Sequence, residues 1–305
     1  MRIVLIGQAA FGEKVLQKLI DKGEQIVGVY TIPDVPGRAN PLKDMALKLN
    51  IPVFQPKDMR TPEVFSEYTK LNPELNVMAF VTVIIPESIL FYPKLGTIQY
   101  HPSLLPKHRG GSAINWAIIN GETKTGISIF WPDKGLDTGP ILLQKEVEIS
   151  PDDTVGTLYF NKLFPLEVEA IAESIDLIRE GKAPKIKQDE SQATYEPLVN
   201  EKMATINWNQ PANKVYNFIR GTNPSPGATT TFKGEKLKIF DAQLLPGDTQ
   251  AMPGEIIEVT GQGFKVAAAY GAVLVKRVQP AGSPKIEALE FARQVLLKKG
   301  DKLGN

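Results

Sequence analysis

The N-terminal part of the chain repeats one unit: a short β-branched run, a glycine or proline, then a stretch with helical periodicity. Arg2–Ile6 ends at Gly7, and Phe11–Lys22 then places Val15, Leu16, Leu19 and Ile20 on one helical stripe. Gln25–Thr31, Pro52–Phe54, Leu75–Phe80 and Thr97–Tyr100 repeat the strand, with helical stretches such as Leu42–Leu49 and Glu63–Lys70 between them. Strands that alternate with helices pair in parallel, because a parallel neighbour needs a crossover, and the helices then cover both faces. The expectation is an open α/β sheet, whose ligands bind beyond the carboxyl ends of the strands where the strand order reverses. The loop after Tyr100 lies at such an end.

The pattern changes further on. PDDT at Pro151–Thr154 supplies N-cap residues for a long helix ending near Glu180 before Gly181, with Pro165 a point of kinking. Lys182–Tyr195 is polar and aperiodic and reads as a linker. Beyond it come a short helix at Ala212–Arg220, the break NPSPG at Asn223–Gly227, and five strand-like runs: Ala228–Phe232, Lys236–Leu244, Gly254–Val259, Phe264–Ala268 and Val273–Val278. A helix at Glu287–Lys299 closes the chain. Short strands bounded by Gly, Pro or Asp predict a small OB-like β-barrel. We therefore expect two domains, 1–200 (with the linker from about 182) and 201–305, which suits a length of 305 residues.

Composition removes several classes of chemistry. No cysteine is present, so disulfide partners, thiolate zinc sites and a cysteine nucleophile are excluded by inventory. With only two histidines, His101 and His108, a metal site would have to be all carboxylate, and none is expected. The apolar run before Gly7 is far too short for a signal or membrane segment, which with the missing cysteine predicts a cytoplasmic protein without a membrane partner. Gly7-Gln-Ala-Ala-Phe-Gly12 sits where a dinucleotide-binding turn would be, but Ala9 replaces the glycine that lets backbone approach a pyrophosphate, so no nicotinamide cofactor is expected. Net charge is +1, yet residues 201–305 carry 14 basic and 9 acidic side chains (+5), leaving 21 against 25 (−4) for the rest. That asymmetry is either drift in surface charge or a weakly basic surface for a polyanion.

Both histidines fall in YHPSLLPKHRGG, Tyr100–Gly111. Gln99 and His101 point to one face of the strand, and Pro102 and Pro106 stiffen the loop around the imidazole. His101 is then either a loop histidine bonded to backbone or a side chain held for chemistry; His108, before Arg109 and two glycines, reads as the more exposed of the two. Ser103, near His101, is a weak candidate nucleophile. PDKGLDTG at Pro132–Gly139 is a turn-rich loop in which Asp137 is either a turn cap or a carboxylate that pairs with an imidazole, as general acid–base chemistry requires. Asp133 reads better as a surface-turn residue.

HPSLLPKHRG at His101–Gly110, with LDTG at Leu136–Gly139, resembles the signature of the folate-dependent formyltransferase family. The likeness extends through GVYTIPD (Gly28–Asp34), PVFQP (Pro52–Pro56), TGISIF (Thr125–Phe130), INW (Ile206–Trp208) and IRGTNPSPGA (Ile219–Ala228). It implies a Rossmann-like N-terminal domain that binds 10-formyltetrahydrofolate as substrate and an OB-like C-terminal domain. By the same resemblance His101 and Asp137 are catalytic: the imidazole polarises the formyl oxygen and the carboxylate tunes the imidazole and helps move protons. Val81, Val83, Ile84, Ile85 and Pro86, with Pro132, Asp133, Lys134, Gly135 and Leu136, fall where the family holds the pteridine ring. Ser103, Leu104, Leu105, Pro106, Arg109 and Gly110 form the loop that supports the site.

One position departs from the transferases, which carry Asn-x-His where this chain has Gln99-Tyr100-His101. The extra methylene displaces the amide by about an ångström, enough to matter for an oxyanion contact. The hydrolase branch, found at the N-terminus of 10-formyltetrahydrofolate dehydrogenase, departs there too and resembles this chain throughout Ser103–Glu122. The implied reaction is hydrolysis to tetrahydrofolate and formate. The alternatives are formyl transfer to methionyl-tRNA, transfer to a sugar amine, and a folate-binding module without catalysis. The loop Pro33–Pro41 holds a single basic residue, Arg38, which disfavours tRNA, whereas the +5 charge of residues 201–305 argues the other way.

Overall fold

The computed structural model describes residues 1–304. β1 (Arg2–Gly7), α1 (Ala9–Asp21), β2 (Gln25–Tyr30), α2 (Pro41–Lys48), β3 (Val53–Phe54), α3 (Pro62–Lys70) and β4 (Leu75–Ala79) follow the alternation seen in the sequence. Next come α4 (Glu87–Leu90), β5 (Thr97–His101), α5 (Ala113–Ile119), β6 (Lys124–Phe130) and β7 (Ile141–Glu148). These seven strands form one sheet in the order β3-β2-β1-β4-β5-β6-β7. β1 pairs in parallel with β2 and with β4, so the strand order reverses there, and β6 runs antiparallel to β5 with Gln99 opposite Phe130 and His101 opposite Ser128. One face of the sheet buries Val4, Ile6, Tyr30 and Met78 with Tyr68, Ile85 and Ile89. On the other, Phe11 of α1 packs on Tyr100 at 4.3 Å between ring centroids and edge-on to Phe164 at 5.4 Å.

The long helix is interrupted. α6 (Val155–Leu158), a π-helical turn at Tyr159–Leu163 and α7 (Phe164–Arg179) succeed one another. Pro165 explains the break, because it has no N–H to give the carbonyl four residues back and the hydrogen-bond register widens just before it. Thr154 and Thr157 form a reciprocal capping box at the start of α6.

By its contacts the chain divides into two compact units: residues 1–110, 126–147 and 162–195 form one, and 111–125, 148–161 and 196 onward the other. In the second unit α8 (Ala212–Gly221) precedes β8 (Ala228–Phe232), β9 (Glu235–Leu245), β10 (Ile256–Thr260), β11 (Gly263–Ala267), β12 (Ala272–Pro280), β13 (Ile286–Glu287) and α9 (Ala288–Gln294). The strands form an antiparallel sheet in the order β10-β11-β12-β9-β8, with β13 against β12. α8 and α9 bury Val215, Ile219, Phe291 and Ala292 against it. β10 and β8 do not pair with each other; instead residues 300–304 bond to both. Gly300 N–H donates to Ile256 O, Ile256 N–H to Asp301 O, Leu303 N–H to Gly254 O and Gly304 N–H to Thr231 O. No helix among the described residues is long and apolar enough to cross a membrane.

Candidate functional site

The segment after β4, the end of β5 and the loop after β6 surround a cleft of about 670 Å³, within the range of small-molecule sites. Its walls contain Val81, Val83–Pro86, Gln99 and Pro132–Asp137, so segments separated in sequence converge on one cavity. Val83, Ile84 and Leu136 are exposed at its rim, an apolar surface open to a flat ligand. Lys134 pairs with Glu87 at 3.1 Å on the same wall. No side chain or backbone group among the described residues bonds to the Gln99 carboxamide. Asp133 caps its own turn, accepting from Gly135 N–H and Thr138 Oγ1.

Behind this wall His101 is buried, with Nδ1 3.6 Å from Asp137 Oδ2. Its other nitrogen, Nε2, lies 2.7 Å from the carbonyl of His108. A carbonyl only accepts, so Nε2 carries the hydrogen and Nδ1 presents its lone pair toward the carboxylate. Burial pushes the His101 pKa below its ordinary 6.5, and the nearby Asp137 only partly opposes this. A neutral imidazole and a carboxylate, with no proton between them, make a pair able to accept one. Asp137 Oδ2 also accepts from Gly110 N–H at 2.8 Å, and the residue has φ = +56°, in the left-handed region.

The loop residues named from the sequence stand behind the cleft rather than in it. Ser103 Oγ donates to Lys107 O at 2.6 Å, which engages the hydroxyl in holding the loop. Ser128 accepts from Leu105 N–H and donates to Ser103 O, and Gln144 Nε2 donates to Leu105 O at 2.9 Å. Both His108 and Arg109 are buried, His108 against its sequence expectation. The guanidinium pairs with Glu190 at 2.7 Å and donates to Gln188 Oε1 and to the Tyr195 hydroxyl. The Glu190 carboxylate beside it keeps Arg109 firmly charged.

Sequence reasoning missed Ser128, Gln144, Gln188 and Thr194. The polar, aperiodic stretch 182–195 packs along the first unit: Ile186 pairs with Ile141, Trp131 Nε1 donates to Pro184 O, and Arg109 N–H donates to Thr194 O. Its bonds mix backbone and side-chain groups at irregular positions, so no periodicity announces them. The one signal was a density of Gln, Thr, Asp and Glu without the glycine of a flexible linker.

Residues 1–175 match the formyl transferase family and residues 199–296 the family's C-terminal domain. Over 265 residues the chain is 47% identical to the cytosolic 10-formyltetrahydrofolate dehydrogenase of Homo sapiens, covering 83% of this chain and 29% of that one. The chain thus spans less than a third of the dehydrogenases it resembles. It is 38% identical to the methionyl-tRNA formyltransferase of Alkaliphilus oremlandii (strain OhILAs), over the full length of both. Among solved structures, HypX from Aquifex aeolicus in complex with tetrahydrofolic acid superposes with a TM-score of 0.69 at 18% identity, covering 97% of this chain and 48% of that one, a likeness of fold. A Rossmann-like sheet joined to an antiparallel C-terminal sheet, with both segments matched, makes this chain a member of the formyl transferase family.

Proposed function

We propose that the protein hydrolyses 10-formyltetrahydrofolate to tetrahydrofolate and formate. The observation that carries this reading is the pairing of Asp137 on the cleft wall with a neutral His101 behind it, Nδ1 and Oδ2 3.6 Å apart. The apolar rim of Val83, Ile84 and Leu136 receives the pteridine, and backbone groups of residues 132–136 bond its edge. Water attacks the formyl carbon and gives a proton to Asp137. The bond from that carbon to N10 then breaks, N10 takes that proton from Asp137, and the formic acid released ionises to formate. His101, with Nε2 held by His108 O, has only Nδ1 free for this work and shares the proton with Asp137. The resemblance casts His101 as the group that polarises the formyl oxygen; in this reading the Gln99 carboxamide takes that task, since the imidazole N–H is already engaged.

The 38% identity to a methionyl-tRNA formyltransferase along the whole chain favours a second reading, formyl transfer to an aminoacyl-tRNA. Against it, Arg38 is the single basic residue of the exposed loop Pro33–Pro41. Purified protein should release tetrahydrofolate and formate from 10-formyltetrahydrofolate with no acceptor present. Turnover that appears only with methionyl-tRNA, and fades steeply with salt, would establish the second reading instead. Gln99→Asn separates the two further, because gain of amine transfer would show that this amide selects the acceptor.

A further inference from the structure

We propose that Gln188, in the strap 182–195, is a positioning residue for the His101 and Asp137 pair. Its carboxamide is buried between two loops distant in sequence. Oε1 accepts from Arg109 Nη2 at 2.8 Å and Nε at 3.2 Å, while Nε2 donates to the carbonyls of Asp137 at 2.8 Å and Gly139 at 2.7 Å. Both donors and the acceptor oxygen are thereby saturated, which only a primary amide can do at this position.

The contacts close a ring. Arg109 is followed by Gly110, whose N–H holds the same Asp137 oxygen that faces His101. Asp137 is thus gripped at its carbonyl by Gln188 and at its carboxylate by Gly110, in a left-handed conformation that costs a non-glycine residue on the order of 1 kcal/mol. The strap holds the imidazole side as well. Thr194 Oγ1 accepts from His108 N–H at 2.8 Å, and Thr194 O accepts at 3.0 Å from Arg109 N–H, which belongs to the same peptide as the carbonyl that takes the Nε2 hydrogen of His101. One segment sets both ends of the imidazole.

The kinetic part of the test rests on the hydrolase reading; the spectroscopic part does not. Gln188→Glu keeps an acceptor for Arg109 but sets a carboxylate oxygen against two carbonyls, whereas Gln188→Leu removes both functions. In the full chain, Gln188→Glu should lower kcat roughly ten- to a hundredfold with KM for 10-formyltetrahydrofolate within about twofold, because geometry is lost and the folate walls are not. In parallel, the imidazole nitrogens are followed by NMR against pH, two histidines being few enough to resolve. Burial lowers the His101 pKa and the Asp137 charge raises it, while His108 acts both ways, its carbonyl raising the pKa and its ring lowering it. If Asp137 swings away, the His101 midpoint should move to lower pH. A wild-type kcat and an unmoved His101 midpoint in Gln188→Glu would overturn the proposal, as would a rise in KM matching the fall in kcat. Should the wild type turn over nothing, the hydrolase reading has failed, and the His101 midpoint alone decides the positioning role. If Gln188→Leu does not fold, Gln188→Glu carries both measurements.

Discussion

Asp137 and His101 approach to 3.6 Å without a hydrogen bond, and that gap defines their chemistry. With Nε2–H given to His108 O, no proton lies between Nδ1 and the carboxylate, and the pair can accept one there. Activity that needs the neutral ring should stay flat from neutral pH down to 6.5 and fall only below it, since burial lowers the His101 pKa from that value. Asp137→Asn removes the attraction that opposes burial, so its acid limb should lie lower still, with kcat reduced by roughly 10²- to 10⁴-fold; a rate near wild type would remove the carboxylate from the mechanism. A second titratable residue lies outside the site. Glu167 of α7 is fully buried, neither carboxylate oxygen has a partner, and burial raises its pKa from 4.5 to about 8. The unfolded chain releases this proton above pH 4.5 while the folded protein keeps it to about pH 8, so stability falls as pH rises through that window. Glu167→Gln should flatten this slope and add on the order of 3 kcal/mol at pH 7, read from denaturant unfolding at several pH values.

At the scale of elements, the strands and helices of the first unit were legible because each carries a local pattern: α1 buries one stripe, while β1 and β2 are short apolar runs buried almost throughout, as strands of a parallel sheet covered on both faces are. The helix from Pro151 to Glu180 was legible in extent, and its broken hydrogen-bond register followed from Pro165. The strap 182–195 was not legible, since Gln188 and Thr194 act on backbone groups some 50 to 86 positions away. Loop shape is equally a matter of distant neighbours. A Cβ on Gly139 would lie 1.8 Å from Trp131 O, so either the strand end or the Asp137 loop must move. Gly139→Ala should therefore cost about 1–3 kcal/mol in thermal unfolding and lower kcat more than a stability loss explains. An alanine variant with wild-type kcat would show that the loop's approach to Trp131 is not coupled to the site.

At the scale of the molecule, the second unit depends on its last residues. Leu303 is buried in the core of the antiparallel sheet, and residues 300–304 supply hydrogen bonds beside both edge strands, β10 and β8. Ending the chain after Lys299 leaves those backbone groups without their partners and empties the Leu303 site, a loss of about 2–5 kcal/mol from the side chain alone. The truncated protein should unfold at a distinctly lower temperature in calorimetry; an unchanged transition would show that the sheet closes without this segment.

The sequence by itself determined the fold class, the succession of elements and, through HPSLLPKHRG and LDTG, the family, and it singled out His101 and Asp137, which the structure brings to 3.6 Å of each other. These are properties of local period and short motifs, carried by neighbours along the chain. Only the tertiary structure decided which imidazole nitrogen is free, why Asp137 stands in a left-handed conformation, and that an aperiodic polar segment fastens the site. Those features arise from single hydrogen bonds between residues far apart in sequence, whose partners exist only once the chain has folded.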